Sequence, residues 1–151
     1  PSLLEYGIGG LLQPKMNYPD SFCEYECNVC GRVCPTGAIL PLSVEDKKMT
    51  QIGKVDLLKD KCVVYINHQN CGACVEVCPT KTITFINKQN VLYPVVDNRF
   101  CVGCGACSKA CPTDPKSIVV HPHSVHGKAV KSLADGIPVR QKKAVPEEFP
   151  F

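Results

Sequence analysis

Cys101-Val102-Gly103-Cys104-Gly105-Ala106-Cys107-Ser108-Lys109-Ala110-Cys111-Pro112 sets four cysteines at successive steps of three, three and four residues and closes on a proline. Looser copies stand upstream, as Cys23-x3-Cys27-x2-Cys30-x3-Cys34-Pro35 and Cys62-x8-Cys71-x2-Cys74-x3-Cys78-Pro79. Together the three runs take up all 12 cysteines of the 151-residue chain. No thiol is left over, so the building unit is a group of four.

The spacing has a physical reason. An iron–sulfur cubane presents four iron corners, and one tight loop reaches three of them when its cysteines recur every third residue. Residues between them must be small, because the backbone wraps close to the inorganic core and turns its N–H groups toward the sulfurs. Gly103, Gly105 and Ala106 meet this need in the third run, and Gly72 and Ala73 in the second. The fourth cysteine lies about one helical turn further on, and the proline after it stops the helix. The count predicts three [4Fe–4S] clusters held by Cys23, Cys27, Cys30, Cys34, Cys62, Cys71, Cys74, Cys78, Cys101, Cys104, Cys107 and Cys111. Four protein ligands per cluster leave no iron open to a substrate, and no nucleophile–base constellation accompanies them. An electron carrier is expected, with no catalytic residue and no small-molecule substrate.

Other uses of many cysteines compete with this one. At about 8% Cys the chain approaches the composition of a disulfide scaffold, but four thiols crowded into one loop give poor geometry for pairing them all. Zinc sites of four cysteines are the stronger rival, and would make the chain a zinc-structured interaction module. They usually combine two separated pairs, not triplets closed by Cys-Pro. No Cys-x-x-Cys is followed by His, so the covalent haem motif is missing.

Composition narrows the field further. Aromatics make up 7% of the residues and Trp is absent, so the conventional core is thin and metal binding is expected to supply folding energy. The formal charge of +3 turns to about −3 once twelve thiolates and three oxidised cores are counted. Nucleic acid is not an expected partner, and no Lys/Arg block of useful length exists. No stretch approaches the ~18 apolar residues needed to span a membrane. The chain begins at Pro1, which we read as the mark of a processed or excised chain, so membrane association is expected only through missing segments or a partner.

Three regions are expected: an N-terminal arm over 1–20, a cluster domain over 21–122 and an irregular tail over 123–151. An internal repeat runs through the middle region, with Cys34-Pro35-Thr36, Cys78-Pro79-Thr80 and Cys111-Pro112-Thr113 as its copies. Short extended runs follow at Ile39–Leu42, Thr82–Ile86 and Ile118–Val120. A turn at Asn87–Asn90 leads to a returning strand over Val91–Val96, and Val55–Leu58 precede Cys62 in the same way. Cys74–Cys78 and Cys107–Cys111 read as single-turn helices. Ser43 with Asp46 resembles a capping box for a helix over 44–51, with Gly53 as its stop. A further short helix is conceivable over 128–134. His68 stands three residues before Cys71 and is an alternative ligand to Cys62, which we favour. His121, His123 and His126 are read as solvated histidines, and Phe22, Tyr25, Tyr65, Phe85, Tyr93 and Phe100 as side chains that exclude water from the clusters.

Residues 60–120 resemble a bacterial two-[4Fe–4S] ferredoxin. The wider layout, over residues 20–122, is similar to the polyferredoxins of the ferredoxin-type NapG/MauM family. Ile52-Gly53-Lys54-Val55 leading to Cys62, the long gap before Cys71, and Cys101-Val102-Gly103-Cys104-Gly105 carry that likeness. Members usually have four motifs, and this chain has three. The resemblance implies an α+β fold: loop-rich, ferredoxin-like βαβ repeats with short strands and one-turn helices around three [4Fe–4S] clusters. It also implies an exchange of ligands, Cys62, Cys71 and Cys74 with Cys111, and Cys101, Cys104 and Cys107 with Cys78. Cys23, Cys27, Cys30 and Cys34 then hold the third cluster; if the first two motifs pair instead, membership changes but the set of ligands does not. The implied role is a one-electron relay between a quinol- or flavin-linked donor and a terminal reductase, at the cytoplasmic or periplasmic face of a bacterial membrane. An alternative place is the iron–sulfur subunit of a larger redox enzyme. The spacing of Cys23, Cys27 and Cys30 also resembles radical-SAM sites, but Cys34 supplies a fourth thiol and no barrel-length chain follows.

Overall fold

The structure is a computed structural model and describes residues 16–130. Nine short elements follow one another: α1 (Val29–Val33), α2 (Val44–Met49), β1 (Thr50–Leu57), α3 (Val63–Asn67), α4 (Ala73–Glu76), β2 (Ile83–Lys88), β3 (Val91–Val96), α5 (Ala106–Ala110) and β4 (Ile118–Lys128). The mixture is α+β and rich in loops. Its strands form two separate antiparallel ribbons, β1 with β4 and β2 with β3. Among the described residues the strands flanking each of the cysteine helices α4 and α5 fall in different ribbons, so the two strands of an expected βαβ repeat do not pair with each other.

The hairpin is set by local chemistry. Ile83 opposes Val96 and Lys88 opposes Val91, leaving Gln89 and Asn90 as a two-residue turn. Both take the left-handed backbone, at φ 50° and 65°, which suits the right-handed twist of the strands they join. In the other ribbon Val55 faces Val120 and Leu57 faces Ile118.

Helix α2 starts as its cap predicts. The Asp46 amide donates to Ser43 Oγ at 3.0 Å, while the Ser43 hydroxyl donates to Asp46 Oδ2 at 2.7 Å. Glu45 and Asp46 in the first turn and Lys47 and Lys48 in the last complement the helix dipole. Its stop differs from expectation: Thr50 already leaves the helix in extended backbone and Gly53 lies inside β1. Gly53 is needed there for close approach. A Cβ on it would sit 2.6 Å from the His121 carbonyl oxygen, and one on Gly103 (φ +74°) would sit 2.5 Å from the Gly53 nitrogen. No strand forms over Ile39–Leu42, where those residues are exposed and find no partner strand to satisfy their backbone.

Strand β4 runs on to Lys128, but its register against β1 slips where irregularity is expected: Gly53 opposes Pro122 and Gln51 opposes Gly127, with residues 123–126 between them, before Thr50 meets Lys128. Most of the proposed helix over 128–134 lies outside the described residues, as do 1–15 of the N-terminal arm and its leucines. No helix among the described residues is long and apolar enough to cross a membrane.

The core is small and built around sulfur. Of its eight buried residues four are aliphatic, Val55, Ile83, Ile118 and Val120, and four are Cys78, Cys101, Cys107 and Cys111. Hydrocarbon alone does not close it.

Candidate metal centres

Two cavities flank this core, each ringed by four cysteines. Cys62, Cys71, Cys74 and Cys111 line the first, with Leu57, Pro94 and Ile118 as apolar wall. Cys78, Cys101, Cys104 and Cys107 line the second, walled by Val55, Ile83 and Val120. The fourth cysteine of each run thus faces the cavity of the other run, the grouping that the two-cluster ferredoxin resemblance implies. Helices α4 and α5 set this up. Each carries a cysteine into its own cavity, and one turn later Cys78 or Cys111 leaves in the opposite direction.

The long gap before Cys71 is occupied by α3. Cys62 is its N-cap residue, and its carbonyl accepts from the amides of Tyr65 and Ile66, both at 3.0 Å. Val64 anchors the helix at 1% exposure. His68 ends it in the left-handed conformation, and its Nδ1 lies 2.8 Å from the Tyr93 hydroxyl. Cys62 lines the cavity, and His68 is not among its lining residues.

The first run wraps at the surface, with Cys27 and Cys30 exposed and Cys23 and Cys34 half-buried. Polar contacts to α2 hold it. Lys47 Nζ donates to the carbonyls of Glu24 and Tyr25, Lys48 pairs with Glu26 at 2.7 Å, and Asn28 donates to the Leu42 carbonyl at 2.8 Å. The Cys23 amide donates to the Cys104 carbonyl, binding this run to the third.

Electrostatics describe what the cavities lack. Burial pushes Cys74 up to about 11, with the neighbouring Cys62 and Cys71 thiolates adding to it. Burial likewise raises Cys104 to about 11 and drives Cys101 and Cys107 upward, the charges of the other thiols contributing. Four thiolates can share such a space only around a cationic guest. Among the described residues, no three His, Cys, Asp or Glu side chains stand at the spacing for one metal ion. Each cavity offers four thiols as its donor set, which fits a four-iron core. The glycine cradle agrees: Gly105 (φ +85°) lies so close beneath Tyr18 that a Cβ would stand 2.1 Å from the ring.

Several functional side chains went unread in the sequence. Every Cys-Pro-Thr repeat turns its threonine hydroxyl back to the cysteine sulfur: Thr36 to Cys34 at 3.6 Å, Thr80 to Cys78 at 3.7 Å, and Thr113 to Cys111 at 3.1 Å. Ser117 adds a second hydroxyl at 3.1 Å from Cys111. Burial pushes the Cys111 thiol up, but the Ser117 and Thr113 hydrogen bonds outweigh it and the net displacement is downward. The Ile39 amide and then the Thr36 hydroxyl lower Cys34 to about 7. The recurrence of threonine was the available signal. Tyr18 was also missed; burial, followed by the charges of Cys23, Cys104 and Cys101, raises its phenol to about 12.

A fold of two short ribbons, with paired cysteine-ringed cavities fed by exchanged cysteines, defines a ferredoxin-type 4Fe–4S electron-transfer protein. Comparison with known proteins agrees. The model of the 4Fe-4S dicluster domain matches residues 22–82 and again 69–115, together more than half of the chain, and the chain belongs to that family. The methylamine utilization ferredoxin-type protein MauM of Methylobacillus flagellatus is 34% identical over 80 residues, covering 49% of this chain and 34% of that protein. MauM of Methylophilus methylotrophus is 37% identical over 82 residues, covering 49% and 35%. The chain spans about a third of the length of these curated relatives. No solved structure matches significantly.

Proposed function

We propose that the chain relays single electrons through three [4Fe–4S] clusters, from a quinol- or flavin-linked donor to a terminal reductase. Cys62, Cys71, Cys74 and Cys111 hold one cluster, Cys78, Cys101, Cys104 and Cys107 the second, and Cys23, Cys27, Cys30 and Cys34 the third. A cubane bound at each site supplies one reversible one-electron couple. The chain's residues hold it by sulfur, exclude water and place it near the next.

The observation that carries this reading is the division of eight thiols into two rings of four, with a further four on one surface loop. The family match supports it, since two overlapping dicluster matches share Cys71, Cys74 and Cys78 and draw all three runs into one pattern. Contacts suggest a route that departs from chain order. The first run bonds to Cys104, and helices α4 and α5, which carry Cys74 and Cys107, pack against each other. Electrons then pass from the exposed first site to the Cys104 site and on to the Cys111 site, or in reverse.

The relatives' names associate them with methylamine utilization, which supports an accessory carrier beside a redox enzyme, placed by that partner at either face of a membrane. Anaerobic reductive titration tests the relay. Three electrons taken up per chain, with bleaching of a broad visible absorption, is the expected result. Uptake of none, in a colourless protein containing zinc, refutes it.

A further inference from the structure

We propose that the hydroxyls beside the fourth cysteines of the second and third runs set the relative reduction potentials of the clusters, with Thr113 and Ser117 exerting the largest effect. The inference rests on the cluster reading above and deepens it at the level of individual side chains.

The direction of each hydrogen bond follows from chemistry. A cysteine bound to iron is a thiolate and has no proton to give, so Thr36, Thr80, Thr113 and Ser117 must be the donors. Adding one electron to a core raises the negative charge on its thiolates without forming or breaking a bond. A donor aimed at such a sulfur therefore binds the reduced state more tightly than the oxidised state and raises the potential.

The three runs differ in how strongly they do this. Cys111 is buried and meets two hydroxyls at 3.1 Å each. Thr113 is fixed in turn by the Ser117 amide, which donates to its Oγ1 at 2.8 Å. Lys116 adds positive charge nearby, its Nζ donating to the Cys111 carbonyl at 2.6 Å. Cys78 is buried too, but has a single hydroxyl at the longer distance of 3.7 Å, from Thr80, which accepts in turn from the Thr82 hydroxyl at 2.8 Å. Its cavity is not without donors, since the Gly103 amide bonds to Cys101 at 3.3 Å; these are backbone groups that a threonine substitution leaves in place. Cys34 is half-buried and its Thr36 is exposed, so water can replace the lost hydroxyl.

The test is an anaerobic redox titration of holoprotein followed by EPR, with dithionite as reductant and soluble mediators. In the Thr113→Val/Ser117→Ala double variant one couple should shift so that reduction is at least tenfold less favourable, about 59 mV downward for a one-electron couple. Thr80→Val should lower a different couple by less, and Thr36→Val should leave all couples in place. Thr113→Ser, which keeps the hydroxyl, should restore the wild-type value. Should the double variant fail to load, the two single variants carry the test, each expected to lower the same couple by a part of the full shift. Full iron content with unmoved or raised potentials overturns the inference. A wild-type iron content short of three clusters, with the shift still present in the double variant, overturns the three-cluster reading and leaves the role of the hydroxyls standing.

Discussion

The amide of Cys23 donates to the carbonyl of Cys104 at 2.8 Å, so the first cysteine of the surface run is hydrogen-bonded to the middle of the third. Tyr18 covers the same junction, packed against Gly105 and against the core. The junction is where the exposed site meets the buried pair.

Removing that cover should expose the second cavity. Tyr18→Ala is expected to speed cluster loss to oxygen or a chelator several-fold, at a stability cost of about 1–3 kcal/mol for a half-buried ring. Tyr18→Phe should behave as wild type, since packing and not the phenol closes the site. Bleaching rates in air, followed in the visible, check both.

The glycines of the cradle should not be equivalent. Gly37, Gly103 and Gly105 all take positive φ, but a Cβ at Gly37 meets nothing within 4 Å. Gly37→Ala should therefore cost only the left-handed strain, about 1–2 kcal/mol. Gly103→Ala should be worse, because its Cβ would collide with the Gly53 backbone, which is locked between β4 and the cysteine loop. Gly105→Ala should fall between them, as the Tyr18 side chain can swing aside. Thermal melting of the three holoproteins gives the order.

Asn98 acts as an extra strand for β1. Its side-chain oxygen accepts from the Val55 amide at 3.1 Å, and its NH2 donates to the Val55 carbonyl at 2.9 Å. Gln51 braces the same turn through the carbonyls of Asn98 and Cys101 at 2.9 and 2.7 Å. Asn98→Ala should destabilise the holoprotein by about 2–3 kcal/mol, since it leaves two backbone groups unpaired beside the core. A loss below half a kcal/mol in denaturant unfolding would contradict the assignment.

Cluster loading should depend on pH in a calculable direction. The raised values of Cys74 and Cys104, about 11, mean that these thiols hold their protons at neutral pH. Loading requires thiolates, so protons leave as metal binds, and apparent affinity rises as pH climbs toward 11. Stability that the metal-free fold derives from neutral thiols is present below their unfolded value of about 8.5 and is lost as pH rises through about 11. Cys34, lowered to about 7, behaves oppositely. In metal-free protein at pH 7 it should be alkylated before Cys107, as peptide mapping after a brief iodoacetamide pulse will show.

Much of the site was legible because its chemistry is written in spacing. Cys101-x2-Cys104-x2-Cys107-x3-Cys111 fixes ligand type and loop shape locally, and the Ser43–Asp46 cap and the turn expected at Asn87–Asn90, which the structure narrows to Gln89 and Asn90, are equally local. Long-range features were less accessible. Gly53 looked like a helix stop because its true constraint, the approach of Gly103 and His121, comes from residues about 50 or more positions away. The length of β4 was hidden by His121 and Pro122, which read as the end of a strand until β1 is there to pair with them, and by the register slip over residues 123–126. The threonine hydroxyls were visible as a repeat, but their aim depends on the turn after Cys-Pro, which spacing does not encode.

The most direct measurement is an anaerobic count of iron and acid-labile sulfide per chain. Three cubanes require about twelve of each. A result near eight of each would leave the Cys23–Cys34 loop without a cluster, and one metal per thiol group with no sulfide would contradict the account altogether.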